Sequence, residues 1–474
     1  MTGLNTFKLG LLALAVFQLG CQYVPDTENF ESAPNASKSL DAESAPDAAT
    51  LSEADNLRPT LDDPIQGIQG TLDETGFVPP MADSSSVIPS DRFPRPNSIR
   101  GLYVNAWAAG SSSRMGPLLD LVRDTEVNSL VIDIKDATGY LSHHTEVALA
   151  HEIGASEEIR INDLPGLLLR LEEEGIYPIA RIVMVKDPIL ASHRPEYAVN
   201  DTAGGVWVDS KGITWLNPYV QGVWDYHLEI AREVAQMGFP EIQFDYIRFP
   251  DAPESDLGRA VFHGDEGRSK ASAIRDLLAH LRRELTDLGV QVTADVFGVT
   301  TSARRDVGIG QVWESFIDVV DVALPMVYPS HYWTGSFGFE IPNAHPYEIV
   351  LRALTDALSR SEQVAGAGLT RPWLQDFSLG EPIYESAEVR AQIQATYDAG
   401  IDEWILWNAG SHYTGSALEP VGGFDTEPMI RVAGVVAPVS RRHAVIDSTA
   451  RLSQTPTATD RAAPAPSDSL PGRL

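Results

Sequence analysis

A single cysteine, Cys21, in 474 residues leaves no partner for a disulfide, no thiolate set for a zinc site and no cysteine nucleophile within a folded region. Other absences narrow the chemistry further. No Gly-x-Gly-x-x-Gly turn follows the first apolar run of the central region, which argues against a dinucleotide fold, and no Gly-x-Ser-x-Gly marks a serine nucleophile. His143, His144 and His151 lack the paired spacing of a metal site, so neither a metal nor another cofactor is expected. Beyond Cys21 no apolar run approaches the roughly 20 residues of a transmembrane helix. Positive charge is scarce too. Against 66 Asp and Glu stand 35 Lys and Arg, a formal net charge of -31, which makes nucleic acid an unsuitable partner and disfavours a polyanionic substrate, although a local field can differ from the net charge.

The two ends are low in aromatics and lack a sustained apolar period. Residues 22–97 are rich in Ser, Ala, Pro, Asp and Glu and cannot bury enough surface to offset their ordering entropy, so they read as a disordered acidic linker; residues 439–474 read as a disordered tail. Ahead of the linker, Lys8 precedes an apolar run, Leu9–Phe17, that is too short to span a bilayer and reads as the core of an export signal over residues 1–21. Leu19-Gly20-Cys21 resembles a bacterial lipobox, with Gln18 where Leu or a similar residue is usual. Cys21 is therefore the expected lipidation site and a membrane the expected partner, with simple secretion as the alternative. The chain reads as a lipoprotein of the cell envelope, sorted to the outer membrane if the host is Gram-negative, since Gln22 rather than Asp follows the cysteine.

From Ile99 to about Ser411 short apolar runs alternate with amphipathic stretches. The runs are Arg100–Trp107, Ser129–Lys135, Tyr177–Lys186, Glu241–Phe249, Val290–Phe297, Val319–Tyr328, Arg371–Phe377 and Asp402–Asn408. Helical patterns follow the first seven, among them Pro218–Met237 behind Asn217 and Lys270–Leu288 closed by Gly289. Strands alternating with helices imply parallel βα units, and eight units imply closure into a (β/α)8 barrel over residues 98–438; an open doubly wound sheet is the alternative.

The fourth run, Glu241-Ile-Gln-Phe-Asp-Tyr-Ile-Arg-Phe-Pro250, places a carboxylate and a guanidinium in an otherwise buried strand. Asp245 and Arg248 fall towards its C-terminal end, the face on which parallel barrels carry their active sites; an internal ion pair that fixes packing is the plain alternative. The ends of the other runs supply Asp133, Lys135, Lys186, Asp295, Tyr328, Asp376, Trp407 and Asn408. Carboxylates among Trp and Tyr suit a carbohydrate, because flat apolar rings stack on sugar faces while acids bond hydroxyls and perform acid/base work. Glycoside cleavage needs two carboxyl groups, one protonated and one ionised. Asp245, with Arg248 as its cation, is the expected nucleophile; Asp295 on the next strand is the expected proton donor, with Asp376 as alternative. The others are expected to bind substrate. Each also has a structural reading: Asp133 could hold the turn at Thr138-Gly139, Lys135 and Lys186 could neutralise nearby acids, Asp376 could cap a helix, and the tryptophans could simply pack.

Phe244-Asp-Tyr-Ile-Arg-Phe-Pro250, with Arg100-Gly-Leu-Tyr-Val104, Val131-Ile-Asp-Ile-Lys-Asp136 and Met326-Val-Tyr-Pro329, resembles a bacterial glycoside hydrolase-type family with a TIM-barrel-like domain, over roughly Ile99 to Ser411. The resemblance implies a barrel that hydrolyses a polysaccharide or oligosaccharide. Sugar hydrolases of the α-amylase and α-galactosidase kinds carry a nucleophilic Asp on strand four, the place of Asp245. The amylase-like acid is a Glu on strand five, where this chain has Asp295. The competing expectations are a carbohydrate-binding barrel without catalysis and a surface scaffold that works through its acidic ends.

Overall fold

The computed structural model describes residues 92–453. Cys21, the export signal, most of the linker and the end of the tail lie outside the described residues. Eight strands form the core: β1 Arg100–Val104, β2 Ser129–Lys135, β3 Tyr177–Val183, β4 Glu241–Asp245, β5 Gln291–Phe297, β6 Val322–Val327, β7 Trp373–Gln375 and β8 Trp404–Trp407. Every neighbouring pair is parallel. Closure comes from β7, which pairs with both β6 and β8, and from β8, which pairs with β1, so the ring has no free edge. The expected (β/α)8 barrel is the observed one. Helices α1 Ser112–Asp124, α2 Leu164–Glu173, α3 Gln221–Met237, α4 Lys270–Leu285, α5 Trp313–Phe316, α6 Pro346–Ser361 and α7 Ser386–Asp398 follow the first seven strands. Each turns an apolar face, such as Ile230, Ala231 and Val234 of α3, onto the outer surface of the ring.

Several boundaries differ from the sequence reading, each for a local reason. β4 stops at Asp245 instead of reaching Phe249, because Tyr246 turns into the left-handed region (φ 53°) and its N–H donates to Asp245 Oδ1 at 2.5 Å. α3 begins at Gln221 and not at Pro218, since Asn217 Oδ1 accepts the Tyr219 N–H at 3.1 Å and holds those residues in a turn. The domain also runs past both expected limits. Phe93 is buried in the core and Arg95 pairs with Glu403 at 2.6 Å, although both were placed in the linker. After the antiparallel hairpin of β9 (Met429–Val432) and β10 (Val435–Pro438), α8 (Arg442–Ser453) occupies the start of the expected tail, tied to α7 by Arg442 Nε and Asp398 Oδ2 at 2.5 Å.

Alternation along β4 divides its residues between two environments. Ile242 and Phe244 are fully buried apolar side chains, while Glu241, Gln243 and Asp245 occupy the interior of the ring at three depths. At the N-terminal end Glu241 meets Arg371, from just before β7, with Nη1 to Oε1 at 2.7 Å; Arg371 Nε donates to Glu403 Oε2 at 2.9 Å. Because β4 and β7 are not neighbours in the ring, this contact crosses the interior and forms its floor. Gln243 occupies the next level, and Asp245 lies at the C-terminal mouth.

A register shift between Asp133 and Lys135 on β2 changes what the sequence alternation implied. Regular pleating would place both on one face, but the bulge sends Lys135 elsewhere. Lys135 is fully buried, with Nζ 2.9 Å from Asp187 Oδ2 and donating to Val183 O at 2.8 Å, and its charge acts on His227 of α3. The lysine expected to contact substrate thus belongs to an internal ion pair.

Two outcomes follow from these buried ions. Arg371→Leu leaves Glu241 buried without its cation and should lower stability by about 3–5 kcal/mol in urea titration, with partial recovery when Glu241→Gln is added. Lys135→Met should also lower the urea midpoint, while leaving KM for any glycan substrate unchanged; a raised KM at preserved stability would return Lys135 to the substrate.

Candidate active site

At the mouth of the barrel three expected residues, Asp133, Asp245 and Asp295, converge on a guanidinium that the sequence reading did not single out. Arg181 stands on β3 opposite Asp133 of β2 and Gln243 of β4. Its Nη1 donates to Asp133 Oδ1 at 2.5 Å, its Nε to Asp245 Oδ2 at 3.1 Å, and its Nη2 meets the same Asp245 oxygen. Arg181 Nε is also 3.9 Å from Asp295 Oδ2. Arg181, on the neighbouring strand but 64 residues away in sequence, is therefore a cation beside Asp245. Arg248, expected in that role, instead donates from Nη1 to Asp251 Oδ1 at 2.9 Å.

Aromatic side chains surround the cluster. Trp407 stacks on Tyr103 with centroids 4.0 Å apart and planes at 27°, and the guanidinium carbon of Arg181 lies 5.1 Å from the Trp407 centroid and 5.5 Å from that of Tyr103. The Tyr103 hydroxyl donates to Asp133 Oδ2. Trp373 stands edge-on to Trp407 and donates from Nε1 to Asp295 Oδ1 at 2.7 Å. Gln243 Nε2 reaches both oxygens of Asp295, at 2.9 and 3.0 Å.

These surroundings act on protonation. Asp295 is 1% exposed, and burial pushes its carboxyl well up; the charge of Asp245 adds to this, against the pull of Arg181 and the N–H donors. Burial raises Asp133 as well, opposed by Arg181. The Tyr328 phenol is raised first by burial and then by the charges of Asp295 and Asp245, which places Tyr328 in the same constellation and keeps it neutral. Three buried carboxylates around one guanidinium would carry an excess of two negative charges, a costly state in a low-dielectric site, so the arrangement favours holding a proton among them.

The remaining expected residues separate into two groups. Asp376 accepts from Thr414, with N to Oδ2 at 2.8 Å and Oγ1 to Oδ1 at 2.7 Å, while Asn408 Nδ2 donates to Asp376 O at 2.7 Å. This pair fastens the loops after β7 and β8 to each other; burial raises Asp376 and the Thr414 donors oppose it. Lys186 and Arg248 lie in a neighbouring cleft on the loops after β3 and β4. Asp136, beside Asp133 in sequence, takes the turn-holding role, accepting the Thr138 N–H at 2.9 Å and pairing with Arg160.

The barrel is similar to several solved structures. A hypothetical protein from Ruminiclostridium thermocellum is 40% identical, covering 41% of this chain and 97% of its own, with a TM-score of 0.37. The glycoside hydrolase domain of PgaB (BpsB) from Bordetella bronchiseptica is 14% identical over 66% of this chain and 95% of its own, with a TM-score of 0.48. Alpha-L-fucosidase isoenzyme 2 from Paenibacillus thiaminolyticus is 16% identical over 68% of this chain and 48% of its own, with a TM-score of 0.45. No curated protein matches the chain. A family described as "Putative glycosyl hydrolase domain" matches residues 101–413, from β1 through the loop after β8 and so the whole ring and its mouth. The chain belongs to this glycoside hydrolase family.

Proposed function

We propose that the barrel cleaves a polysaccharide or oligosaccharide outside the cytoplasm, with Asp245 as nucleophile and Asp295 as proton donor. The observation that carries this reading is the joint contact of both carboxylates with Arg181 at the C-terminal ends of adjacent strands, the face where barrel enzymes do their chemistry. Twice met by Arg181, Asp245 serves as the ionised partner and attacks the anomeric carbon. Asp295 gives its proton to the departing glycosidic oxygen, then takes one from the water that releases the sugar from Asp245. Their distances to one guanidinium nitrogen bound the separation of the two Oδ2 atoms at about 7 Å, which supports a retaining geometry, near 5–5.5 Å, over most of the inverting range. Trp407 and Tyr328 supply ring faces and a hydroxyl beside the pair. Export and anchoring at Cys21 rest on the sequence alone; Cys21→Ser should move the protein from the membrane fraction to the soluble one.

A carbohydrate-binding barrel without catalysis is the second reading, favoured by the three N–H contacts that Asp295 accepts from Gln243 and Trp373. Turnover on defined glycans separates the two. Asp245→Asn should keep the fold, checked by circular dichroism, and remove nearly all hydrolysis; retained activity would end its assignment as nucleophile. Asp295→Ala should impair natural glycans most and spare aryl glycosides whose leaving groups need no proton.

A pH profile tests the acid more closely. The Gln243 N–H donors favour the ionised form of Asp295, so Gln243→Met should raise that carboxyl further and carry the alkaline limb of kcat/KM to higher pH. An alkaline limb that stays in place would show that Asp295 is not the donor.

A further inference from the structure

Trp107, 55% exposed, is the most exposed tryptophan of the described residues and plays no part in the chemistry at Asp245 and Asp295. It belongs to a one-turn helix, Ala106–Ala109, that follows β1 directly, so it stands at the C-terminal mouth of the barrel. Ala106, Ala108 and Ala109 are buried, and the indole is turned outward. A single apolar side chain on a surface is ordinary, and exposure by itself assigns nothing. What sets Trp107 apart is how firmly it is held.

Asn105 fastens the turn to the loop after β8. Its Oδ1 accepts the Ala108 N–H at 2.9 Å, its Nδ2 donates to Ala409 O at 2.9 Å, and its own N–H donates to Ser411 Oγ at 3.0 Å. On the other side the turn meets the loop after β2, so closely that a Cβ on Gly110 would lie 1.7 Å from Arg160 O; only glycine fits there. The buried Arg160 then lays its guanidinium over the indole, with the central carbon 5.3 Å from the Trp107 centroid and 5.9 Å from that of Tyr140. The fork is itself fixed. Its Nη1 bonds Asp136 Oδ2, its Nε and Nη2 donate to Glu158 Oε1 at 2.9 and 2.7 Å, and Nη2 also donates to Thr138 Oγ1 at 3.2 Å. The ring is thus backed by a rigid ion-pair network, while much of it stays open to water.

This platform is joined to the acids of the mouth. Tyr103, four residues before Trp107, bonds Asp133 and stacks on Trp407, and Asp136, which holds Arg160, lies three residues beyond Asp133. The Tyr103 phenol, raised foremost by burial and then by the charge of Asp133, also feels that of Asp136. An indole fixed in place loses little freedom when a ligand settles on it, and its flat face matches the C–H face of a pyranose. Arg160 is matched by two carboxylates, Asp136 and Glu158, which favours a neutral sugar over an acidic one.

We infer that the open face of Trp107 is a stacking subsite for a neutral pyranose unit of the glycan, away from the scissile bond on the β1–β2 side, so that the protein grips a chain of several units. Its relation to cleavage rests on the hydrolase reading of Asp245 and Asp295; its binding does not.

The test measures binding apart from turnover. Asp245→Asn protein is titrated calorimetrically with neutral ladders of glucose, mannose, xylose and N-acetylglucosamine units, from disaccharide to hexasaccharide. At least one ladder should gain about tenfold in affinity at a single added unit, the burial of one sugar face on the ring. Trp107→Ala in the same background should abolish that step and bring the long members down to the affinity of the short ones; Trp107→Tyr, which keeps an aromatic face, should retain part of it. The ring is exposed, so both variants should fold, as checked by circular dichroism. Saturation-transfer NMR reads the contact directly: irradiation of aromatic protons should mark one more sugar unit of the long ligand with Trp107 present than in Trp107→Ala. Affinity that does not grow with length in any ladder, a step that survives Trp107→Ala, or equal weakening of short and long members would each overturn the inference. A length step lost in Trp107→Ala, without hydrolysis by the intact protein, would leave the subsite standing and remove the hydrolase mechanism; hydrolysis with equal KM for short and long chains would keep the mechanism and remove the subsite.

Discussion

One guanidinium makes the mouth of this barrel possible. Three carboxylates from three strands lie within it, each nearly shut off from water, and like charges so placed repel strongly unless a cation or a proton intervenes. Arg181 provides the cation and meets Asp133, Asp245 and Asp295 at once. The positions of the aromatic side chains follow from it, since Tyr103 and Trp407 pack against its plane and Tyr103 in turn bonds Asp133. The contacts of Arg181 thus set the orientation of the acids, and its charge opposes the burial that raises Asp133 and Asp295.

Much of the fold was legible because a closed parallel barrel repeats one signal. Each strand is a short apolar run, each helix a 3.6-residue pattern, and eight repetitions leave little room for another architecture. The ends of elements were less legible. The left-handed turn at Tyr246 has no signature in a tyrosine, and a bulge such as that on β2 leaves the alternation of the sequence intact while changing the side to which Lys135 points. Asp245 and Asp295 drew attention because carboxylates stand out in apolar runs.

Arg181 was missed because its partners are remote in the chain, Asp133 by 48 residues and Asp245 by 64. Reading along the sequence, the nearest cation to Asp245 is Arg248; in a barrel the nearest is the inward residue of the strand beside it. A signal was present nonetheless. An arginine in the middle of Tyr177-Pro-Ile-Ala-Arg-Ile-Val183 needs a counter-charge as much as a buried aspartate at the end of β4 does, and pairing the unexplained charges of neighbouring inward positions would have matched the two.

The floor of the barrel differs from its mouth in one respect. Glu241 and Glu403 are matched by Arg371 and Arg95, so that end is formally neutral, and Gln243 separates it from the acids above. A balanced layer projects little field along the axis, and the electrostatics of the mouth are set by the mouth. The two ends can therefore diverge independently in related chains: exchange of the floor ions for packed apolar residues would change how firmly the ring is held in register, while the chemistry above kept its own settings.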